Sequence, residues 1–452
     1  MQNLTPVILV AIQLPKQTTE EIDDSLRELE RLASTLGYRV VGKIAQARQS
    51  AKTPTVLGEG KIAELAVLTG GSGQVAPTFK RKKSKAAEKF VDKSTKNRNE
   101  PVSEVNLPQE IAKIVIFDCD LSPSQLRNVE SAVAVPVLDR TGVIIEIFSH
   151  HAKSRAAKLQ IEIARLNYTA PRIRESTGAK ERSAGGIGGK GAGETKVELD
   201  RRLIRDRIKE LKVELDGIQK EQSQRRKQRE GENCVALVGY TNAGKSSLMR
   251  ALTGSEVLVA DQLFATLDTT IRPLIPETKP KILISDTVGF IKKLPHDLVA
   301  SFKSTLDEAL NASILLIVVD ASDSAFKSQL DVTLAVLKEV GADTIEHKIV
   351  LNKIDLVSPK LKAQLEADFP RAIAISTRSK SDIKSITKIL VDHFEKEMID
   401  DEFFLYYGSE KLVSEIRAHM RILKEDYSDD GVKLKVRANP NTLARFKKTQ
   451  LG

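Results

Sequence analysis

The chain has 452 residues, 41% of them hydrophobic, and Lys+Arg at 71 exceeds Asp+Glu at 61 for a formal charge of +10. That is too long for one core and leaves room for about three domains, while the positive excess points to a polyanion partner, a merely basic protein being the alternative. Cys119 and Cys234 fit no metal-ligand spacing or disulfide framework, the N-terminus lacks the features of a cleaved leader, and no apolar run spans a membrane, so a cytoplasmic protein without membrane insertion is expected, peripheral association aside.

Residues 5–11 read as a buried strand, 18–36 as a helix with Leu26, Leu29 and Leu32 or Ala33 at helical spacing, and 38–45 as a second strand. Residues 55–68 read as strand, glycine turn and short helix, ending at Gly70. A basic insertion over 69–108 follows, with Lys80, Arg81, Lys82, Lys83, Lys85, Lys89, Lys93, Lys96 and Arg98 against Glu88 and Asp92. Too few apolar side chains are present there for a core, so the insertion is expected to be disordered when free, either an arm that folds onto RNA or a solvated loop. A strand at 111–117, a helix at 123–133 and a strand at 143–148 complete a small parallel α/β domain over 1–150.

Helices come next, over 151–231. One covers 156–168, and a second carries Val197, Leu203 or Ile204, Ile208, Leu211, Leu215 and Ile218 as an apolar stripe that extends toward Glu230, the pattern of an antiparallel hairpin. Between them, residues 178–194 (GAKERSAGGIGGKGAGE) form a basic, glycine-rich loop, a probe for phosphate or RNA or else a flexible connector.

Residues 234–238 are a short apolar strand running into Gly239, Tyr240, Thr241, Asn242, Ala243, Gly244, Lys245 and Ser246, with a helix from Ser247. This is G-x-x-x-x-G-K-S in its strand-loop-helix setting: the glycines let backbone N–H groups surround phosphates, Lys245 adds a full charge, and Ser246 offers a hydroxyl to Mg²⁺. A second strand, 282–285, ends in Asp286, Thr287, Val288 and Gly289, a D-x-x-G element placing a carboxylate near the metal and an N–H near the γ-phosphate. Strands at 314–319 and 349–351 follow, the latter ending in Asn352, Lys353, Ile354 and Asp355. In this N-K-x-D element Asp355 accepts from guanine N1–H and the 2-amino group, donors that adenine lacks there. A fifth strand at 373–376 brings Ser376 and Thr377 toward guanine O6.

Between the first two motifs lie Phe264, Ala265, Thr266, Leu267, Asp268, Thr269 and Thr270, where Thr266 is the expected Mg²⁺ ligand and γ-phosphate sensor, with Thr269 and Thr270 as rivals. Lys245, Thr266 and Gly289 are accordingly the expected catalytic contacts. Phe290 stands after Gly289, where a Ras-like enzyme carries the glutamine that orients water, so intrinsic hydrolysis of GTP to GDP is expected to be slow until a large partner assists. Residues 397–452 show strand-like runs at 403–407 and 431–438 around a helix at 409–426, a small α+β domain suited to packing or surface contact.

These motifs, with TVLGEGKIAEL at 55–65, LSPSQLRNVE at 121–130, Asp139-Arg140-Thr141, LQIEIARLNYTAPR at 159–172, Gly193-Glu194 with Asp200-Arg201-Arg202, and LFATLDTT ahead of DTVGFIKKLPHDLVASFKSTL, resemble the HflX-type GTPases of the translation-factor class. The resemblance implies an N-terminal α/β domain, a helical hairpin linker, a Ras-like P-loop domain over 232–396 and a small C-terminal domain. It further implies a monomer that uses GTP with Mg²⁺ and binds the large ribosomal subunit and its RNA, splitting stalled or idle ribosomes under stress. A signalling switch with a protein partner and an ATP-driven RNA remodeller are the competing functions.

Overall fold

The computed structural model describes residues 4–75, 110–173, 196–228, 233–255, 263–264, 269–293, 310–396, 398–408 and 410–451. It divides into two compact units, one of residues 1–147 with 171–173, the other of residues 148–170 and 174–452.

In the first unit, β1 (Thr5–Gln13), β2 (Tyr38–Ala47), β3 (Ile114–Phe117) and β4 (Val137–Asp139) form a parallel sheet in the order β2-β1-β3-β4. Helices α1 (Thr19–Thr35), α2 (Glu59–Thr69), α3 (Pro123–Val133) and α4 (Arg140–His151) alternate with the strands. Thr18 opens α1 with a reciprocal capping box to Glu21, and Ser122 does the same for α3 with Gln125. Val10, Val115, Phe117, Leu65 and Val129 fill a core on the sheet.

Two sequence expectations change here. Residues 143–148 lie within α4, not in a strand; Val143, Ile144, Ile145, Ile147 and Phe148 are all buried, and a helix apolar on every side has no 3.6-residue contrast to distinguish it from a core strand. Residues 55–57 form turns, with Val56 at φ 64, leading into the Gly58 cap of α2.

Arg140, 1% exposed, donates to Asp118 at 2.7 Å and pairs with Glu28, while Ser25 donates to the same Asp118 carboxylate at 2.6 Å. Arg172 bonds Asp139 at 2.9 Å and the Leu121 carbonyl at 3.1 Å. The charges at the carboxyl ends of β3 and β4 thus neutralise one another within the unit.

In the second unit, α5 (Arg155–Thr169), continued by a 3₁₀ turn at Ala170–Arg172, packs on the long α6 (Lys196–Gln228) through Leu159, Ile163, Leu166, Ile208, Leu211, Leu215 and Ile218. Of the stripe read from the sequence, Ile208, Leu211, Leu215 and Ile218 lie on this contact face, whereas Leu203 is exposed. The glycine-rich loop 178–194 and residues 76–108 of the 69–108 insertion lie outside the described residues.

A six-stranded sheet follows in the order β10-β9-β8-β5-β7-β6: β5 (Asn233–Gly239), β6 (Thr270–Pro273), β7 (Ile282–Asp286), β8 (Ile314–Asp320), β9 (His347–Asn352) and β10 (Ile373–Ala374). Its strands are parallel except β6, an antiparallel edge. Helices α7 (Lys245–Thr253), α8 (Phe326–Val340), α9 (Pro359–Asp368) and α10 (Lys380–Lys396) accompany it, and Val235, Leu237, Leu316, Val318, Ile386 and Phe394 belong to its core.

The C-terminal piece runs β11 (Ile399–Tyr406), α11 (Glu410–His419), β12 (Arg421–Ser428), β13 (Gly431–Ala438) and α12 (Pro440–Leu451), with an antiparallel sheet ordered β11-β13-β12. The helix expected over 409–426 stops at His419. Residues 421–428 form an edge strand exposed along most of its length, which therefore carries no apolar alternation to betray it.

Candidate functional site

β5 is the middle of its sheet, hydrogen-bonded to β7 on one side and β8 on the other, so its carboxyl end opens among the loops that follow all three strands. Gly239 is the last residue of β5, at φ 146, and a Cβ there would lie 2.2 Å from the Val318 carbonyl oxygen. Only a residue without a side chain allows that approach. The loop then turns through Asn242 at φ 60 and Gly244 at φ 94, and Gly244 caps α7, whose first residue is Lys245.

Lys245 is buried, and its Nζ donates to the carbonyls of Gly239 at 3.1 Å and Tyr240 at 2.8 Å. Burial pushes its ammonium down to about 8, partly offset by the carboxylate of Asp286. Ser246 donates to that carboxylate at 2.8 Å, and Asp286, the last residue of β7, is fully buried. Ser247 continues the first turn of α7. Thr287 donates to the Leu237 carbonyl at 2.8 Å, and Val288 is buried. A Cβ on Gly289 would fall 2.8 Å from Thr241 Cγ2 and 3.0 Å from Lys245 Nζ, so the D-x-x-G backbone lies against the phosphate loop.

Phe290 is 3% exposed and tied to that loop by both backbone groups: its N–H donates to the Gly239 carbonyl at 3.0 Å, and its carbonyl accepts from Thr241 N–H at 2.8 Å. Tyr240 adds a bond from Lys292 N–H to its hydroxyl at 2.7 Å. The phenyl group is consequently a packed anchor between the two motifs.

At the N-K-x-D element, Asn352 is fully buried; its side-chain N–H donates to the Ala243 carbonyl at 2.9 Å and its Oδ1 accepts from Thr377 N–H at 3.4 Å. One side chain braces the phosphate loop to the loop after β10. Lys353, at φ 59, pairs with Asp320 at 2.7 Å. Ile354 and Asp355 begin a 3₁₀ turn, and Asp355, exposed, faces the Arg378 guanidinium at 3.7 Å. Ser376 N–H donates to Asp382 at 2.9 Å. Burial alone would raise the Asp382 carboxyl, but the bonds from Ser376, Ser379 and Ser381 prevail and hold it below the usual range.

Of the expected site residues, the structure brings Gly239 through Ser247, Asp286 through Gly289, Asn352 through Asp355, and Ser376 with Thr377 to the carboxyl ends of one sheet. Phe264 is buried at φ 59, with its ring edge-on to Phe148 at 4.6 Å. Ala265, Thr266, Leu267 and Asp268 lie outside the described residues. Thr270 opens β6 opposite Asp286, and Thr269 precedes it. Asp320, Arg378 and Asp382 were not anticipated; each is a charged residue at a strand end or just past a motif, and only the three-dimensional pairing singles it out.

The donor set suits a Mg²⁺ nucleotide: the Ser246 hydroxyl and the Asp286 carboxylate are hard oxygen groups. The Lys245 ammonium donates to two loop carbonyls, weaker acceptors than phosphate oxygens. The buried Thr241 hydroxyl has no hydrogen-bond partner among the described residues.

Comparison with known proteins places this geometry in context. Residues 234–353 match the family described as "50S ribosome-binding GTPase", residues 151–229 "GTP-binding GTPase Middle Region", and residues 23–82 with 74–149 "GTP-binding GTPase N-terminal". The chain is 51% identical to a GTPase HflX of Gluconacetobacter diazotrophicus over 98% of its own length and 97% of the relative's. It is 34% identical to GTPase HflX of Escherichia coli, covering 93% and 91% of the two chains. Among solved structures, a GTP-binding protein of Sulfolobus solfataricus in complex with GDP aligns over 86% of this chain and 99% of its own at 21% identity and TM-score 0.42.

Proposed function

This chain belongs to the HflX family of GTPases, a GTP-binding and GTP-hydrolysing family, and we propose that its GTP form docks on the large ribosomal subunit and contributes to splitting ribosomes. The observation carrying the ribosomal part is the match of residues 234–353 to GTPases described as 50S ribosome-binding. The geometry supports it from the chemical side. Phe290 has no polar atom with which to orient water, so an outside surface must complete the hydrolytic site.

In this proposal the N–H groups of residues 239–245 and the Lys245 ammonium would hold the phosphates, and Ser246 with Thr266 would hold Mg²⁺, with the Asp286 carboxylate supplying nearby negative charge. The metal, when bound, offsets charge on the β- and γ-phosphate oxygens. Gly289 N–H bonds the γ-phosphate, whose loss frees the loops carrying Thr266 and Gly289. Asp355 accepts from guanine, Lys353 lies over the base, and Ser376 and Thr377 approach O6. The remaining expected contacts, Phe264 through Asp268, belong to the loop that senses the γ-phosphate. A cytoplasmic monomer fits this role, and among the described residues no helix is long and apolar enough to cross a membrane.

Sedimentation with ribosomes and separated subunits tests it. Co-sedimentation with the large subunit is expected with GTP or a non-hydrolysable analogue and not with GDP. Equal pelleting in all three nucleotides, or no preference between subunits, overturns the proposal.

A further inference from the structure

The C-terminal sheet has two very different faces. Phe403, Leu405, Val432, Leu434 and Val436 point inward, forming a core with Ile416 and Met420 and with Leu443 and Phe446 of the helix after β13. The alternate residues form the opposite face. Phe404 is 38% and Tyr406 68% exposed, and their rings meet edge-on at 5.2 Å. Lys433 stands opposite Phe404 in the ladder, Gly431 opposite Tyr406, and Lys435 and Arg437 continue the same side of the central strand. An exposed sheet face thus carries two adjacent aromatic rings beside a row of three cations.

We propose that this face binds single-stranded RNA, with unpaired bases stacking on Phe404 and Tyr406 and the backbone phosphates meeting Lys433, Lys435 and Arg437. The chain runs strand, helix, strand, strand, helix, with the third strand central, so both helices lie on the core side and the other side is left for a flat ligand. Sheets of this kind with exposed rings are suited to stacking bases. A protein partner fits less well: the centre of a protein interface is depleted in lysine, and here lysines occupy the middle strand. Duplex RNA fits less well too, because its bases are stacked on each other and present no free faces to a ring.

The cations do have local partners. Lys433 pairs with Glu402 at 2.7 Å and Arg437 with Asp400, while Lys424 on the neighbouring strand pairs with Asp426 at 2.7 Å. These carboxylates oppose a polyanion. The pairs are solvent-exposed and individually weak, however, so exchange of a carboxylate for a phosphate costs little.

No residue of this face belongs to the candidate nucleotide site, and the proposal does not depend on ribosome docking. It is tested with the full chain, GDP-bound, by fluorescence anisotropy of a labelled twelve-nucleotide oligouridine and of a duplex RNA of equal length. Phe404→Ala/Tyr406→Ala is expected to weaken oligouridine binding by at least about tenfold per ring, while Phe404→Tyr/Tyr406→Phe keeps it and duplex affinity is unchanged. Both variants alter exposed side chains, and equal thermal midpoints verify folding. Cross-linking of 4-thiouridine RNA should recover the peptide containing Phe404 and Tyr406. Absence of oligouridine binding by the unmodified chain, equal affinity of the alanine variant, or parallel loss on duplex RNA overturns the proposal. So does a variant that keeps RNA affinity while losing a ribosomal protein, which would mark a protein-docking face. Failure of the sedimentation experiment alone would leave these oligonucleotide results standing.

Discussion

Gly244 and Asn352 provide the sharpest test of how the phosphate and base ends of the site are joined. Gly244 sits at φ 94, and a methyl group there would lie 2.1 Å from Asn352 Nδ2, the atom that donates to the Ala243 carbonyl. Gly244→Ala therefore carries two costs: backbone strain of about 1–3 kcal/mol, and displacement of the Asn352 amide from a buried carbonyl, about 1–3 kcal/mol. Together they amount to roughly 2–6 kcal/mol, at least about thirtyfold in GDP affinity. Asn352→Ala alone removes the bond and carries only the second cost. In that background the obstructing amide is gone, so Gly244→Ala should add strain alone, and the two substitutions should fall short of additivity by about 1–3 kcal/mol. Titration of a fluorescent GDP analogue into the four proteins at fixed Mg²⁺ measures the cycle. Additivity within about 0.5 kcal/mol would refute the contact as the cause.

The depressed Lys245 ammonium, down to about 8, has a defined sign. The folded, nucleotide-free protein binds fewer protons than the unfolded chain between about pH 8 and the ordinary lysine range near 10.5, so its stability should rise with pH across that window and be lowest below it. Phosphates favour the charged form, so GDP affinity should fall above pH 8, approaching about tenfold per pH unit, and Lys245→Met should flatten the profile; isothermal titration over pH 7–9.5 decides it. Asp355→Asn should weaken guanine nucleotides by roughly a hundredfold or more and turn preference toward xanthine nucleotides, which carry a carbonyl in place of the 2-amino group; competition binding would expose an unchanged preference. In the first unit, Arg140→Met leaves the buried Asp118 and the nearby Glu28 without their guanidinium, a loss of about 3–5 kcal/mol that should appear as faster hydrogen exchange across β3 and β4.

The candidate nucleotide site could be read from the chain because each element is a short contiguous motif at the end of an apolar strand. Gly239, Lys245, Asp286 and Asn352 need only strand order to meet. Pairings across the chain left no such local mark. Arg378 facing Asp355 and Asp382 receiving Ser376 N–H are contacts between separate turns, and nothing in the spacing of those residues announces them. The fold erred for opposite reasons at two places. Around Val143–Phe148 the surroundings are so uniformly apolar that helix and strand look alike, whereas at Arg421–Ser428 they are so polar that the strand pattern disappears.

Phe290 shows why the motif and its geometry must be taken together. As a letter after D-x-x-G it signifies a missing glutamine, a statement about what the enzyme lacks. In the structure the residue is a connector: its two backbone bonds lock Gly289 against residues 239–241, and its buried ring resists displacement. Since Gly289 also lies against Lys245, a shift of the D-x-x-G loop must disturb the phosphate loop, and the reverse. The same packing that removes the water-orienting group from this position therefore couples the two loops mechanically. Under the proposed function, slow intrinsic hydrolysis and coupling of nucleotide to loop position are both expected from this one residue, the first from its side chain and the second from its backbone bonds, and a surface that moves this loop is expected to change both together.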